Sequence, residues 1–316
     1  MHELTWGLPV ILYLFLGGLG AGAGAVSASV LLRSGGGEQH GLSFKIARCG
    51  ALIAPFPVIL GTALIVLELG TFQAGNWFRF INLFKVINLS PMSIGSWVLG
   101  LFIVASLVYA YTFLKSDPHP GDKLHKLRIM MAWIVVPLGV SVALYTGILL
   151  GAMPARPFWN SPILALLFLV SALSTGVAII LLGRTVFGKH TTQNDNQSHD
   201  AYLLASSDML LIAFEIAVIF LFVMYAHLTI GSVKAAIGVI LGGELTSLFW
   251  VGFVLFGLVL PILIELKYVI PRLLYQKQYE IPRLMEITVS VLVLVGGFLL
   301  RYIVVIAGQI TGPIGI

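Results

Sequence analysis

The chain has 316 residues, of which 59% are hydrophobic and only 10% charged, with a mean hydropathy of +1.01. Soluble domains carry roughly 25% charged residues, so the composition excludes an ordinary soluble enzyme and points to an integral membrane protein. The net charge of +5 does not call for nucleic acid, because basic residues of membrane proteins gather in cytoplasmic loops.

Eight apolar stretches are long enough to cross a bilayer at about 20 residues each, which predicts an all-α membrane fold in one domain. The opening MHELTWG lacks a basic n-region and a cleavage site, so the first span is expected to be retained rather than removed as a signal peptide. That span covers about 8–32 and contains YLFLGGLGAGAGAVSAS. Gly18/Gly22 and Gly20/Gly24 are four apart, a spacing that lets other helices approach closely in lipid. The second span, about 47–69, holds Pro55 and Pro57, which should bend it. Residues 71–90 mix aromatic, basic and Asn side chains, which suits a stretch lying in the interface.

The third and fourth spans cover about 91–114 and 128–152, separated by a polar turn, SDPHPGDK. A short proline-stiffened turn around Pro154 and Pro157 leads into the fifth span, about 162–186. Residues 188–200, GKHTTQNDNQSHD, are expected to be a flexible linker. The sixth span, about 202–230, carries Asp208 and Glu215, seven apart and so on one helix face. Residues 231–243 are apolar but too short to cross. The seventh and eighth spans cover about 245–268 and 282–306.

Thirteen of the 18 Lys and Arg residues fall in, or at the span edges flanking, the loops after the first, third, fifth and seventh spans. By the positive-inside rule those loops are cytoplasmic, and both termini face the periplasm of a bacterial inner membrane. With this orientation Tyr145, Tyr13, Trp6 and Arg301 fall in the outer half, and Glu68 flanks the outer end of the second span. A tyrosine hydroxyl can hydrogen-bond a carbonyl oxygen while its ring packs against hydrocarbon. Tyr145 and Tyr13 are therefore candidates for binding an amphiphilic head group whose tail stays in lipid. The plainer reading makes Tyr13 an interfacial belt residue and pairs Arg301 structurally with Glu68 or Glu244.

Ionisable groups inside a membrane are costly and suggest function. Asp208 and Glu215 are candidates for proton transfer, because burial favours the neutral form of a carboxyl group. Hydroxyls such as Ser206 and Ser207 offer a purely structural alternative. One cysteine, Cys49, excludes disulfides and any thiolate-held cluster within the chain. Of seven histidines only His227 falls within a span, so no paired-histidine haem, iron–sulfur cluster or other metal is expected.

The segments YLFLGGLGAGAG (13–24), SIGSW (93–97), YTGILLGA (145–152) and PFWNSPILALLFLVSALSTG (157–176) stand in an order that resembles the NrfD/PsrC family. The Asp208/Glu215 pair, FWVG (249–252) and LRYIVVIAGQ (300–309) continue it. These are the membrane subunits of polysulfide, thiosulfate, tetrathionate and nitrite reductase complexes. The resemblance implies eight helices in two four-helix bundles, no haem, and a menaquinol or ubiquinol site near the outer face. It also implies a ferredoxin-like partner with four [4Fe–4S] clusters and, beyond it, a molybdopterin catalytic subunit. The family's quinone-contacting tyrosine on the fourth helix matches Tyr145. Some relatives have histidine at Tyr13 and a polar residue at Val10, so the first-helix contact departs from theirs. MHELTWG and the length favour the polysulfide/thiosulfate branch over the nitrite branch.

The expected function is thus quinol oxidation by the membrane subunit of a respiratory oxidoreductase, with the terminal reductase site on a partner. Two readings compete with it: a secondary transporter, whose cues would be broken helices and midplane charges, and a passive membrane anchor.

Overall fold

The computed structural model describes residues 6–34, 42–69, 81, 90–114, 123–187, 195–229, 231–275 and 281–312. Among them all regular structure is helical. The elements are α1 (Leu8–Arg33), α2 (Leu42–Ile53), α3 (Pro55–Leu69), α4 (Pro91–Leu114) and α5 (Lys123–Gly151). Then come α6 (Ile163–Phe187), α7 (Asp195–Leu228), α8 (Ser232–Leu241), a π-helical stretch (Leu248–Val259), α9 (Leu260–Tyr275) and α10 (Arg283–Ile310). Eight helical segments are long and apolar enough to cross a membrane, with α2–α3 and the π-helix–α9 pair each forming one span.

Local chemistry explains the breaks. The second span interrupts at Ala54, the residue before Pro55, because proline restricts its predecessor and withholds an N–H from the helix. The short apolar 231–243 segment becomes α8, which buries Ala236, Ile237 and Ile240 and does not cross. The expected flexible linker is corrected in its second part: α7 already begins at Asp195. An acid in the first turn favours a helix start, and the polar residues there extend a helix whose apolar part follows. The 71–90 and 116–122 readings lie almost wholly outside the described residues.

Helix α1 is the axis of the molecule. Its apolar window is 78% buried, against 33% for the second, sixth and seventh spans. It packs on α2, α3, α5 and α6, while α6 in turn packs on α5, α7 and α10. The two-bundle grouping stays an expectation of the resemblance; the packing is a continuous body in which α1 and α6 touch helices of both halves. Phe56, Trp133, Leu210 and Phe220 are exposed, the outward apolar surface expected against lipid tails.

The glycines of α1 let its neighbours in. Gly22 lies on the Ala172 backbone of α6, and Gly20 lies on Ala54 and Val58 of the second span. Lipid tails are as apolar as side chains, so helices associate in a membrane by close packing rather than hydrophobic burial. A Cβ at Gly22 would overlap the Ala172 carbonyl, a backbone atom that cannot swing aside. Gly22→Leu is therefore expected to abolish recovery of folded protein from membranes, measured as monodisperse yield after detergent extraction. Replacing Gly17, beside which a Cβ meets nothing within 4 Å, by Ala should leave that yield unchanged.

Candidate functional site

Two polar assemblies occupy the interior, on different sides of α1. The first is the pair Tyr13 and Tyr145, whose phenol side chains lie close enough to influence one another electrostatically. Tyr13 is 6% exposed on α1, and its backbone lies against Gly61 of α3. Tyr145 on α5 is only partly buried, and its ring lies flat on Gly95 of α4, where any Cβ would overlap it. The glycine of SIGSW thus has a defined purpose: it makes room for the aromatic ring. Two phenols so placed, one sheltered and one partly open, present hydroxyls that can donate to or accept from a polar head group in apolar surroundings.

At the end of the molecule holding Trp6 and Gly312, a strap ties the first and last spans. Gln309 accepts from the Trp6 backbone N–H at 2.9 Å and donates to the Trp6 carbonyl at 3.1 Å. Trp6 stacks on Trp159 with centroids 5.1 Å apart. The Trp159 indole donates to the Val304 carbonyl at 2.6 Å, and Arg156 donates to the Gln309 carbonyl at 3.0 Å. Trp6 is therefore held by this strap, two helical turns (about 10 Å) along the chain from Tyr13.

The second assembly is charged. Arg301 of α10 is fully buried and donates to Ser171 Oγ at 2.5 Å, to the Gly297 carbonyl at 2.9 Å and to the Phe168 carbonyl at 3.3 Å. Its guanidinium lies 5.1 Å from the Phe168 ring centroid. Glu215 of α7 lies beside Ser171 and interacts electrostatically with Arg301. One turn along α6, Ser174 donates to Asp208 Oδ1 at 2.9 Å. Asp208 in turn faces Glu265 of α9. Because the two helices run antiparallel, the later serine, Ser174, meets the earlier acid, Asp208, and Ser171 lies near Glu215.

The structure thus brings Tyr13 to Tyr145, and Asp208 and Glu215 into one network, as the helical spacing implied. Arg301 lies with the carboxyl network, against Gly18 of α1, and not beside the tyrosine pair. Among the described residues its acidic neighbour is Glu215; Glu244 is exposed, and the Glu68 side chain lies outside the described residues. Ser206 and Ser207 bond back to the Leu203 carbonyl, so the hydroxyl serving Asp208 comes from another helix. Glu265, 2% exposed, escaped the sequence reading; its signal was an acid inside an apolar span. Arg128 did too: it is buried between the Phe44 and Phe113 rings and donates to the Thr112 carbonyl at 2.6 Å. Among the described residues no three His, Cys, Asp or Glu side chains gather as metal ligands.

A family described as "Polysulphide reductase, NrfD" matches residues 1–313, nearly the entire chain. The chain belongs to the NrfD family. The C subunit of polysulfide reductase from Wolinella succinogenes is 29% identical, with 84% of either protein covered. Protein NrfD of Escherichia coli is 28% identical, covering 98% of this chain and 96% of that protein. The NrfD homolog of Haemophilus influenzae is 25% identical with the same coverage. Members of this family are membrane subunits of oxidoreductase complexes, and a multi-pass helical body with a buried polar interior suits that role.

Proposed function

We propose that this chain is the quinone-reactive membrane subunit of a respiratory reductase complex. In this reading it oxidises menaquinol or ubiquinol near the periplasmic face of a bacterial inner membrane and hands electrons to an iron–sulfur partner. The terminal reductase is a molybdopterin polysulfide- or thiosulfate-type subunit; an NrfD-type nitrite system is the alternative. The observation that carries the reading is the Tyr13–Tyr145 pair: two neighbouring phenols between apolar helices, one of them only partly buried. Such a pair fits a quinone head group, which offers two carbonyl-derived oxygens and a flat ring.

A bound quinol supplies two electrons and two protons. Tyr145 orients an oxygen of the head group, and Tyr13, held in register by Gly61, orients Tyr145. The surrounding hydrocarbon excludes water and strengthens those hydrogen bonds. Asp208 and Glu215 hold and release protons in the adjoining network. In this reading a docked partner carries the electrons onward.

The test is purification of the intact complex from membranes. About one quinone per chain in the lipid extract, an iron–sulfur protein in the same peak, and reduction of that protein by added quinol support the reading. Solute uptake by vesicles holding the chain alone, with no quinol-dependent reduction, would replace it with a transporter.

A further inference from the structure

Where α1 ends and α2 begins, these two helices and α7 leave a gap between them. Helix α7 packs mainly on α6 and α9 and touches α2 only sparsely. The gap is a cavity of about 280 Å³. Its floor is apolar: Ile46 of α2 and Leu204 of α7 are buried in one cluster, with Val30 of α1 packed at its edge. Its rim is polar: Arg33, Ser34 and Ser207 are exposed, and Ser43 is half-buried. A cation and hydroxyls above a hydrocarbon floor make an amphipathic hollow.

Depth and charge say what could fill it. Helix α1 has 26 residues, which at 1.5 Å each make about 39 Å, longer than the roughly 30 Å hydrocarbon core of a bilayer. Arg33, its last residue, therefore stands at head-group depth, and Val30, one turn below, meets the edge of the hydrocarbon. Among the described residues no carboxylate pairs with Arg33. Lys45 and Arg48 of α2 are exposed within the first two turns of that helix and add positive charge at the same end. A soluble anion would match the rim and leave the floor wet. A pure hydrocarbon would match the floor and strip water from the guanidinium and hydroxyls. An anionic amphiphile satisfies both, and basic pockets between helices at this depth suit anionic head groups.

We propose that this cavity binds one anionic glycerophospholipid from the leaflet on the basic side of the molecule. The Arg33 guanidinium offers a planar fork that donates to two phosphate oxygens at once. Ser34 and Ser207 already donate to the Leu31 and Leu203 carbonyls, so their oxygens are left to accept, which suits a head group carrying hydroxyls, such as phosphatidylglycerol. The glycerol backbone and first acyl carbons cover Val30, Ile46 and Leu204. A lipid so seated fills the gap between α7 and the α1–α2 corner and fastens the two halves of the chain where they pack sparsely. The inference does not depend on the quinone reading.

The experiment titrates the full-length chain, purified in detergent, with phosphatidylglycerol, phosphatidylcholine or inorganic phosphate. Native mass spectrometry reads stoichiometry and affinity, and thermal unfolding reads protection. Wild type is expected to retain one phosphatidylglycerol in preference to phosphatidylcholine. At about 100 times its Kd that lipid should raise the unfolding midpoint by roughly 5 °C. Arg33→Gln should weaken phosphatidylglycerol binding about fivefold, and Arg33→Lys should stay within about twofold of wild type. Because Arg33 is exposed, both variants should unfold at the wild-type midpoint without added lipid, which separates lost binding from misfolding. Lys267→Gln removes the same charge from an exposed position on α9 and should bind the lipid as wild type does. Equal affinity for the two lipids would overturn the proposal, as would equal losses in Arg33→Gln and Lys267→Gln, which would mean diffuse attraction to the basic surface. Protection by inorganic phosphate as strong as by phosphatidylglycerol would overturn it too, in favour of a free anion.

Discussion

Tyr145→Phe is expected to lower quinol-dependent turnover about 100-fold, the usual consequence of deleting one positioned donor at a reacting oxygen. The ring keeps its seat on Gly95, so the helix packing that creates the site is unaltered. What disappears is the hydroxyl of the partly buried Tyr145, beside Tyr13. The measurement is steady-state oxidation of a water-soluble quinol by the purified complex. A reduced dye that feeds the iron–sulfur partner directly serves as the control. If the dye reaction persists while the quinol reaction falls, the tyrosine acts on the quinol. Equal quinol rates in wild type and Tyr145→Phe would remove Tyr145 from the site.

Arg301→Leu is expected to cost more in stability than any other single change of a polar side chain here. The guanidinium is fully buried and bonds Ser171 and two backbone carbonyls while facing Glu215. Removing it leaves Glu215 buried beside orphaned acceptors, and breaking a buried pair in this way costs ~3–5 kcal/mol, a large share of a typical folding free energy. Adding Glu215→Gln to Arg301→Leu should recover part of the loss, because the uncompensated charge is then gone. The readout is the midpoint of thermal unfolding of the detergent-solubilised chain. A double variant no more stable than the single one would show that Arg301 acts through its carbonyl contacts and not through Glu215.

How much of this was legible follows from the range of each signal. Span number and order were legible, because crossing a bilayer imprints some twenty consecutive apolar residues on the chain. The glycine seam of α1 was legible from spacing alone, and the structure assigns its two stripes to α6 and to the second span. The α7 pair was legible because residues seven apart share a face. Glu265 was passed over because a lone acid in an apolar span has no periodic partner to mark it; its counterpart, Asp208, lies on another helix.

The sequence alone determined the class of protein, its eight crossings, a distortion of the second span at its prolines and the family, all properties written in consecutive residues or in ordered short segments. Only the tertiary structure decided that Tyr13 meets Tyr145, that Arg301 sits with Glu215 and leaves the tyrosines alone, and that Asp208 takes its hydroxyl from α6. Each of those outcomes depends on which faces of distant helices pack together, and in lipid that choice is made by small-residue contacts and buried hydrogen bonds that no single helix carries by itself.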